Sequence, residues 1–213
     1  MDMLDAIRAS VRETAAYTGQ TQLSERVMAQ MARVPREEFV EPQQRSRAYL
    51  NTALPISHGQ TISQPLIVAL MTDLLQTDPD DVILEVGTGS GYQAAVLSGL
   101  VKQVYSIEII AGLTETAREV LQRLAYHNIS LRTGDGYLGW PEQAPFDGII
   151  VTAAAGEIPA PLLQQLKPGA RLVIPVEGTG GAQQLLVIEK GVDGSTTQRS
   201  VLPVRFVPLT GER

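Results

Sequence analysis

The sequence contains no cysteine and only two histidines among its 213 residues. The lack of cysteine excludes disulfide bonds, thiolate metal sites and a cysteine nucleophile. His58 and His127 offer little material for a histidine-rich metal site or a Ser-His-Asp triad, so we expect no metal site. A chain without cysteine also fits a reducing compartment, and we predict a cytoplasmic protein.

Long apolar runs and an excess of positive charge are also missing. The most apolar stretch is LIVALMTDLL, which is short and interrupted by Asp73, so the sequence predicts no transmembrane segment. The first ten residues, MDMLDAIRAS, carry two acids and no long apolar run, which argues against a secretory signal. The net charge of −6 disfavours binding to nucleic acid or to an anionic membrane. We therefore expect neither as a partner.

The N-terminal part of the chain has helical periodicity. Apolar positions recur at helical spacing over residues 3–33, and Pro35 opens a short helical turn through Phe39. From about Glu41 to Ser63 no period is visible, although the segment is too apolar for simple disorder. An aperiodic segment of that length inside a domain is usually functional.

The remainder of the chain alternates between strand and helix patterns, which predicts an α/β domain with a mostly parallel sheet. Predicted helices cover residues 66–75, a stretch ending near 100, residues 112–126 and residues 159–166. Predicted strands cover residues 82–86, 104–108, 129–133, 146–154, a strand within 167–176, and a final pair within 182–210 joined by a polar hairpin at Asp193-Gly194. We expect one domain, residues 1–213, divided into a helical extension with a loop (1–63), a core (64–176) and C-terminal strands (177–213).

The strongest chemical signal is the glycine loop in ILEVGTGSGY, residues 83–92. A strand ends at Val86, and Gly87, Gly89 and Gly91 follow at alternate positions. Glycines let the backbone approach a ligand without a Cβ in the way, and the helix that follows offers free N–H groups and a positive dipole end. Nucleotide-like ligands bind at such a point in open α/β sheets.

The spacing and the neighbouring acids indicate which ligand. A dinucleotide fingerprint reads G-x-G-x-x-G, whereas this loop reads G-x-G-x-G, which disfavours a nicotinamide-dependent oxidoreductase. Glu85 beside the loop would repel a pyrophosphate but suits a ligand with an amine and a sulfonium, such as S-adenosylmethionine. Glu108 ends the next strand where a carboxylate meets ribose hydroxyls, and Asp135 follows the third strand, where it could meet an adenine amino group.

Four segments resemble the protein-L-isoaspartate O-methyltransferases: ALPISHGQTISQPLIVALMTDLL, DVILEVGTGSGYQAAVL, PFDGIIVTAAAGEIPAPLLQQLKPGARLVIPV and the terminal VRFVPLTG. The resemblance implies a Rossmann-like methyltransferase fold with a mostly parallel sheet, a helical N-terminal extension and a C-terminal β-hairpin. It implies methyl transfer from S-adenosylmethionine to the α-carboxylate of L-isoaspartyl residues in damaged proteins, whose ester then cyclises without enzyme. It also implies a monomer.

Ser57 departs from the family, which commonly has glycine there. We expect this difference to change the flexibility of the loop slightly.

The same resemblance implies a set of site residues. Ser63 matches the residue assigned as active, although its position just ahead of a helix also suits an N-cap. The implied cofactor-binding residues are Thr61, Ile62, Val68, Glu85, Gly87, Thr88, Gly89, Glu108, Asp135, Gly136 and Thr210. The implied substrate-binding residues are Leu54, Pro55, His58, Gly59, Val207 and Pro208.

The implied chemistry does not need a general base. A carboxylate with a pKa near ~4 is already an anion at neutral pH, and a sulfonium needs no further activation as a leaving group. What remains is alignment of the acceptor oxygen, methyl carbon and sulfur, with water excluded. Two alternatives stay open: another S-adenosylmethionine-dependent methyltransferase that acts on a small molecule, and a non-catalytic protein that has kept the fold.

Overall fold

The computed structural model of the protein describes residues 2–211. Most of its strands belong to one central sheet, and the strands in chain order are β1 (Leu54–Pro55), β2 (Thr61–Ile62), β3 (Val82–Val86), β4 (Gln103–Glu108), β5 (Ile129–Thr133), β6 (Phe146–Val151), β7 (Leu166–Glu177), β8 (Gln183–Lys190) and β9 (Thr196–Val204). The predicted domain, residues 1–213, extends beyond the described residues at both ends, and its internal division stays a prediction.

The central sheet has seven strands in the order β5-β4-β3-β6-β7-β8-β9. The pairs among β5, β4, β3, β6 and β7 are parallel, whereas β7–β8 and β8–β9 are antiparallel. The predicted α/β fold with a C-terminal β-hairpin is therefore confirmed. Because β3, β4 and β6 are neighbours in a parallel arrangement, their carboxyl ends meet at one edge of the sheet.

Helices cover both faces of this sheet. They are α1 (Met3–Glu13), α2 (Ala15–Thr18), α3 (Glu25–Arg33), α4 (Pro65–Leu75), α5 (Tyr92–Ser98), α6 (Ala111–Arg123) and α7 (Ala160–Gln165). Helix α4 is apolar on nearly all sides because it packs between α1 and α3 on one side and β6 and β7 on the other. The N-terminal helices therefore share a core with the sheet.

The segment without visible periodicity is ordered, although its short elements were not predicted from the sequence. Residues Pro42–Arg47 form a 3₁₀ helix, and β1 pairs with β2 in a short antiparallel hairpin whose tip is a 3₁₀ turn at Ser57–Gly59. Elements of two to six residues are too short to produce a periodic pattern, so sequence periodicity misses them.

Strand β6 ends at Val151, three residues earlier than predicted. The chain bends at Ala153, and Ala154 then forms an isolated parallel bridge with Pro208. The segment after β9, residues 205–211, is named here the C-terminal arm. It returns across the sheet edge at which β3, β4 and β6 end.

Within residues 2–211, no helix is both long enough and apolar enough to cross a lipid bilayer.

Candidate functional site

An open cleft lies at the carboxyl edge of β3, β4 and β6, and its space of about 790 Å³ includes solvent at its mouth. Its walls come from the β1–β2 hairpin, the glycine loop, the end of β4 and the C-terminal arm. The predicted site residues that line it are Thr61, Ile62, Ser63, Val68, Gly87, Thr88, Gly89, Glu108, Gly136, Val207, Pro208 and Thr210. The predicted site residues that do not line it are Leu54, Pro55, His58, Gly59, Glu85 and Asp135.

The glycine loop has the backbone conformation for which glycine is needed. Gly87 has a φ of +96°, and a Cβ added there would lie 2.5 Å from Oγ1 of Thr152. Thr152 follows β6, and its hydroxyl donates a hydrogen bond of 2.5 Å to the carbonyl oxygen of Gly87. A side chain at residue 87 would therefore both strain the backbone and displace a cleft residue.

Glu108 ends β4 and ties the glycine loop to the start of α6. Its Oε2 accepts a hydrogen bond of 2.9 Å from the backbone N–H of Gly89, and its Oε1 accepts one of 3.0 Å from the N–H of Ile110. The carboxylate is buried yet lines the cleft. Because each oxygen can accept more than one hydrogen bond, the group can still receive the hydroxyls of a ligand.

Glu85 lies behind the cleft wall, not in it. Its side chain is fully buried, and Ser106 on the neighbouring strand donates a hydrogen bond to its Oε2. Oγ of Ser106 is also 2.6 Å from Oγ1 of Thr88, which lines the cleft. Burial raises the pKa of Glu85 to about 8, the Ser106 hydrogen bond acts in the opposite direction, and the charge of Glu108 raises the value further. Glu85 therefore supports Thr88 through Ser106, and its predicted contact with the cofactor stays a prediction.

Asp135 and Gly136 follow β5, and only Gly136 lines the cleft. Oδ1 of Asp135 accepts a hydrogen bond of 2.9 Å from the backbone N–H of Tyr137, as in an N-cap. A Cβ added at Gly211 would lie 2.1 Å from the same oxygen, so the end of the C-terminal arm rests against this carboxylate. The side chain of Asp135 faces the arm, and its predicted contact with an adenine group stays a prediction.

Ser63 lies between β2 and α4, and its half-buried side chain lines the cleft. Gln64 occupies the N-cap position of α4 without a side-chain capping bond, and Oδ1 of Asn51 accepts a hydrogen bond of 2.9 Å from the N–H of Leu66 in the first turn. Within residues 2–211 the hydroxyl of Ser63 has no hydrogen-bond partner. The structure therefore gives the N-cap alternative no support and leaves this hydroxyl free for a ligand.

The β1–β2 hairpin reaches over the glycine loop. Cδ1 of Ile56 lies 3.9 Å from the position that a Cβ of Gly89 would take. At the hairpin tip His58 has a φ of 58°, and its ring lies 2.7 Å from a Cβ built on Gly112 at the start of α6. Leu54 at the hairpin base is buried in the core. Leu54 and His58 therefore hold the hairpin in place, while Thr61 and Ile62 face the cleft.

The C-terminal arm forms the opposite wall through backbone hydrogen bonds. The N–H of Ala154 donates to the carbonyl of Val207 at 2.8 Å, and the N–H of Leu209 donates to the carbonyl of Ala154 at 2.7 Å. The hydroxyl of Tyr137 adds a hydrogen bond of 3.3 Å to the carbonyl of Leu209. These bonds fix the arm beside the cleft as an added short strand.

Several residues that line the cleft were not predicted from the sequence. They are Gln60, Val86, Ser90, Tyr92, Gln93, Ile107, Ile109, Ile110, Leu113, Thr152, Ala153 and Leu209. Ile109 is 40% exposed, but single exposed apolar residues are common at protein surfaces, so it carried no usable signal. Thr152 carried none either, since its contact with Gly87 depends on the pairing of β3 with β6.

Comparison with known proteins gives one consistent result. The family model described as protein-L-isoaspartate(D-aspartate) O-methyltransferase matches residues 14–213. The chain is 60% identical over 209 residues to protein-L-isoaspartate O-methyltransferase 2 of Syntrophobacter fumaroxidans, covering 98% of this chain and 85% of that protein. It is 58% identical to protein-L-isoaspartate O-methyltransferase 2 of a Polaromonas species, covering 99% of this chain and 100% of that protein.

Solved structures agree with the sequence relatives. A protein-L-isoaspartate O-methyltransferase structure matches with a TM-score of 0.83 at 28% identity, covering 98% of this chain and 66% of that chain. A chain from Plasmodium falciparum, provisionally named a protein-L-isoaspartate O-methyltransferase and bound to S-adenosyl-L-homocysteine, matches with a TM-score of 0.78 at 26% identity, covering 94% of this chain and 97% of that chain. Over nearly its whole length, the chain therefore belongs to the protein-L-isoaspartate(D-aspartate) O-methyltransferase family.

Proposed function

We propose that the protein transfers a methyl group from S-adenosylmethionine to the free α-carboxylate of L-isoaspartyl residues in damaged proteins and peptides. The observation that carries the proposal is that one cleft joins the free hydroxyl of Ser63 to the glycine loop and Glu108. The family relationship favours this substrate over a small molecule.

The residues of the cleft fit the methyl donor. S-adenosylmethionine, when bound, supplies a methyl group carried on a positively charged sulfur. Glu108 has acceptor capacity left for a pair of hydroxyls, and the backbone of Gly87 and Gly89 leaves room for close approach. We propose that these residues hold the donor, together with Thr61, Ile62, Val68, Thr88, Gly136 and Thr210.

The acceptor side needs orientation more than acid–base chemistry. The α-carboxylate is already ionised at neutral pH, so the chain has no proton to remove. The Ser63 hydroxyl can donate to one carboxylate oxygen and leave the other free to attack. The N-terminus of α4 follows Ser63, and its dipole adds positive potential at this end of the cleft. Alignment of this kind accounts for roughly 7–11 kcal/mol in favourable cases.

We propose that the peptide is held mainly through its backbone. The β1–β2 hairpin and the C-terminal arm present main-chain groups on either side of the cleft, with Val207 and Pro208 lining it. Main-chain recognition suits an acceptor whose neighbouring side chains differ from one damaged protein to another. Affinity should therefore vary little when the flanking residues of a test peptide are changed one at a time.

A labelling experiment tests the proposal. The protein is incubated with methyl-labelled S-adenosylmethionine and two peptides that differ only in having L-isoaspartate or L-aspartate at one position. Base-labile label on the isoaspartyl peptide alone is the expected result. Equal labelling of the two peptides, or no labelling by protein that binds the donor, would contradict it.

The proposal also covers partners and location. We propose a monomer that acts in the cytoplasm on isoaspartyl proteins and does not bind nucleic acid, which the net charge of −6 supports. Sedimentation equilibrium at micromolar concentration tests the oligomeric state, and a gel-shift assay at low salt tests nucleic-acid binding. A stable dimer or a retarded duplex would overturn the corresponding part.

A further inference from the structure

Arg36 is a fully buried cation directly behind the acceptor end of the cleft. It lies in the 3₁₀ turn Arg36–Phe39 that follows α3. Its Nε donates a hydrogen bond of 2.8 Å to the carbonyl of Ala48, and its Nη2 donates one of 2.7 Å to the carbonyl of Ser63. The guanidinium therefore holds the backbone of the residue whose hydroxyl faces the cleft.

The protein leaves this charge without a counter-ion. Among residues 2–211, no carboxylate lies within ion-pair distance of Arg36, and its Nη1 has no hydrogen-bond partner. The guanidinium carbon lies 4.6 Å from the ring centroid of Tyr92. Burial raises the pKa of Tyr92 to about 12, so the phenol is neutral at physiological pH and cannot supply the missing charge. Burial lowers the pKa of Arg36 to about 10, which still leaves it positive.

Burying a charge without a counter-ion raises the free energy of the folded state, so the place where such a charge lies points to a function. Both groups that Arg36 contacts on the cleft side, Ser63 and Tyr92, line the cleft. The two other donors of the guanidinium, Nε and Nη2, are already satisfied by carbonyl oxygens. Arg36 does not itself line the cleft, so its charge acts through the adjoining Ser63 on the space where the proposed function places a carboxylate.

We propose that Arg36 is a positioning residue that selects for an ionised carboxylate, and that the substrate itself supplies its counter-charge. The inference rests on the proposed function. Methyl transfer breaks the S–CH₃ bond, whose electron pair stays on sulfur, and forms an O–CH₃ bond from a carboxylate lone pair. The positive sulfonium and the negative carboxylate are both neutralised, and no proton moves. The ester product has lost the charge that Arg36 attracts. It should therefore bind more weakly than the carboxylate substrate and dissociate faster.

This role has a kinetic signature that a structural role lacks. Attraction to the full negative charge is strongest in the ground state and weaker in the transition state, where the charge is already shared. Removing the Arg36 charge should therefore raise KM for the isoaspartyl peptide, while kcat should stay the same or rise slightly, because the bound substrate loses more stabilisation than the transition state does. A merely structural loss, transmitted through the Ser63 carbonyl, would misplace the hydroxyl and lower kcat.

The test compares two ligands that differ only in charge. One peptide carries L-isoaspartate, and the other carries the same residue with its α-carboxylate replaced by a carboxamide. Binding of each is measured by calorimetry in the presence of S-adenosyl-L-homocysteine, which prevents turnover. The wild-type protein should prefer the carboxylate, and Arg36→Met should lose roughly tenfold in affinity for the carboxylate peptide with little change for the carboxamide.

Two further variants make the test decisive. Arg33→Met removes an exposed positive charge three residues earlier and should leave the preference intact. Arg36→Lys keeps the charge and should retain most of the preference even if both ligands bind more weakly, which carries the test if Arg36→Met does not fold. Three results would overturn the inference. They are equal losses for the two ligands in Arg36→Met, loss of the preference in Arg36→Lys, and a wild-type protein that binds the two ligands equally. Failure of wild-type protein to methylate the isoaspartyl peptide would instead overturn the proposed function.

Discussion

The backbone N–H of Gly89 donates a 2.9 Å hydrogen bond to Oε2 of Glu108, so the acid that ends β4 fixes the loop that follows β3. The same carboxylate binds the N–H of Ile110 through its other oxygen. A single side chain therefore couples the two loops that form the donor end of the cleft. Loss of its charge should affect both loops and any hydroxyl that the carboxylate accepts.

We expect Glu108→Gln to weaken S-adenosylmethionine binding by roughly 10- to 100-fold. An amide has only one acceptor oxygen, so its nitrogen must face either the N–H of Gly89 or that of Ile110. The measurement is the calorimetric Kd for S-adenosyl-L-homocysteine. Glu115→Gln, on the exposed side of α6, is the matched control and should bind normally. An unchanged Kd for Glu108→Gln would show that this carboxylate does not hold the donor.

Ser63→Ala should lower turnover on an isoaspartyl peptide by roughly 10- to 100-fold, the effect of one hydrogen bond to a charged group. Its donor Kd and its melting temperature should stay close to those of the wild type, because the Ser63 hydroxyl does not cap α4. Steady-state kinetics and thermal denaturation measure the two effects. Ser57→Ala in the same hairpin is the control for a lost hydroxyl. Normal turnover with reduced stability would instead favour a capping role for Ser63.

Glu85→Gln should remove a pH dependence of stability. In the unfolded chain Glu85 ionises at its ordinary pKa of 4.5, whereas in the folded protein burial holds its proton up to about pH 8. Between these values the folded state binds more protons, so the free energy of unfolding of the wild type falls as pH rises and levels off above about pH 8.

The variant should therefore gain stability relative to the wild type from pH 5 to pH 8, by an amount on the order of 3–5 kcal/mol. Urea denaturation at a series of pH values measures the difference. Glu119→Gln, on the exposed side of α6, controls for the general loss of an acid. A constant difference across this range would mean that Glu85 is ionised in the folded protein.

Asn51→Ala should lower the free energy of unfolding by about 1–2 kcal/mol. The Asn51 side chain accepts from the N–H of Leu66 at the start of α4 and donates to Oγ of Ser10 at 3.1 Å. Chemical denaturation measures the loss. Asn51→Asp keeps the acceptor at the helix N-terminus and should recover most of the stability. Equal losses in the two variants would assign the effect to the Ser10 contact instead.

Short buried strands were predictable because an apolar run between turn residues has few alternatives in a parallel sheet. Val82–Val86 and Ile129–Thr133 form strands with the predicted bounds.

The residues from Glu41 to Ser63 were not predictable in the same way. They form short turns and a hairpin whose stability comes from distant contacts, such as His58 against Gly112 and Asn51 against Leu66.

The two glutamates at strand ends illustrate the same limit within the site. Glu85 precedes the last residue of β3 and pairs in register with Ser106, whereas Glu108 is the last residue of β4. Because Ser106 and Glu108 are two positions apart, Glu85 and Glu108 point to the same face of the sheet, but Glu108 lies two residues further toward its carboxyl edge. This offset leaves Glu85 buried behind the cleft wall and brings Glu108 to the cleft. The register between the two strands, which fixes this difference, is not visible in either strand alone.

By itself the sequence determined the α/β architecture, the glycine loop and the family, because these depend on local patterns and on motifs that stand in order along the chain. Only the tertiary structure decided which acids face the cleft, how the C-terminal arm closes it, and where the buried charge of Arg36 lies. Those features depend on strand register and on contacts between residues far apart in sequence, such as Arg36 with Ser63, and a linear pattern does not encode which side chains those contacts bring together.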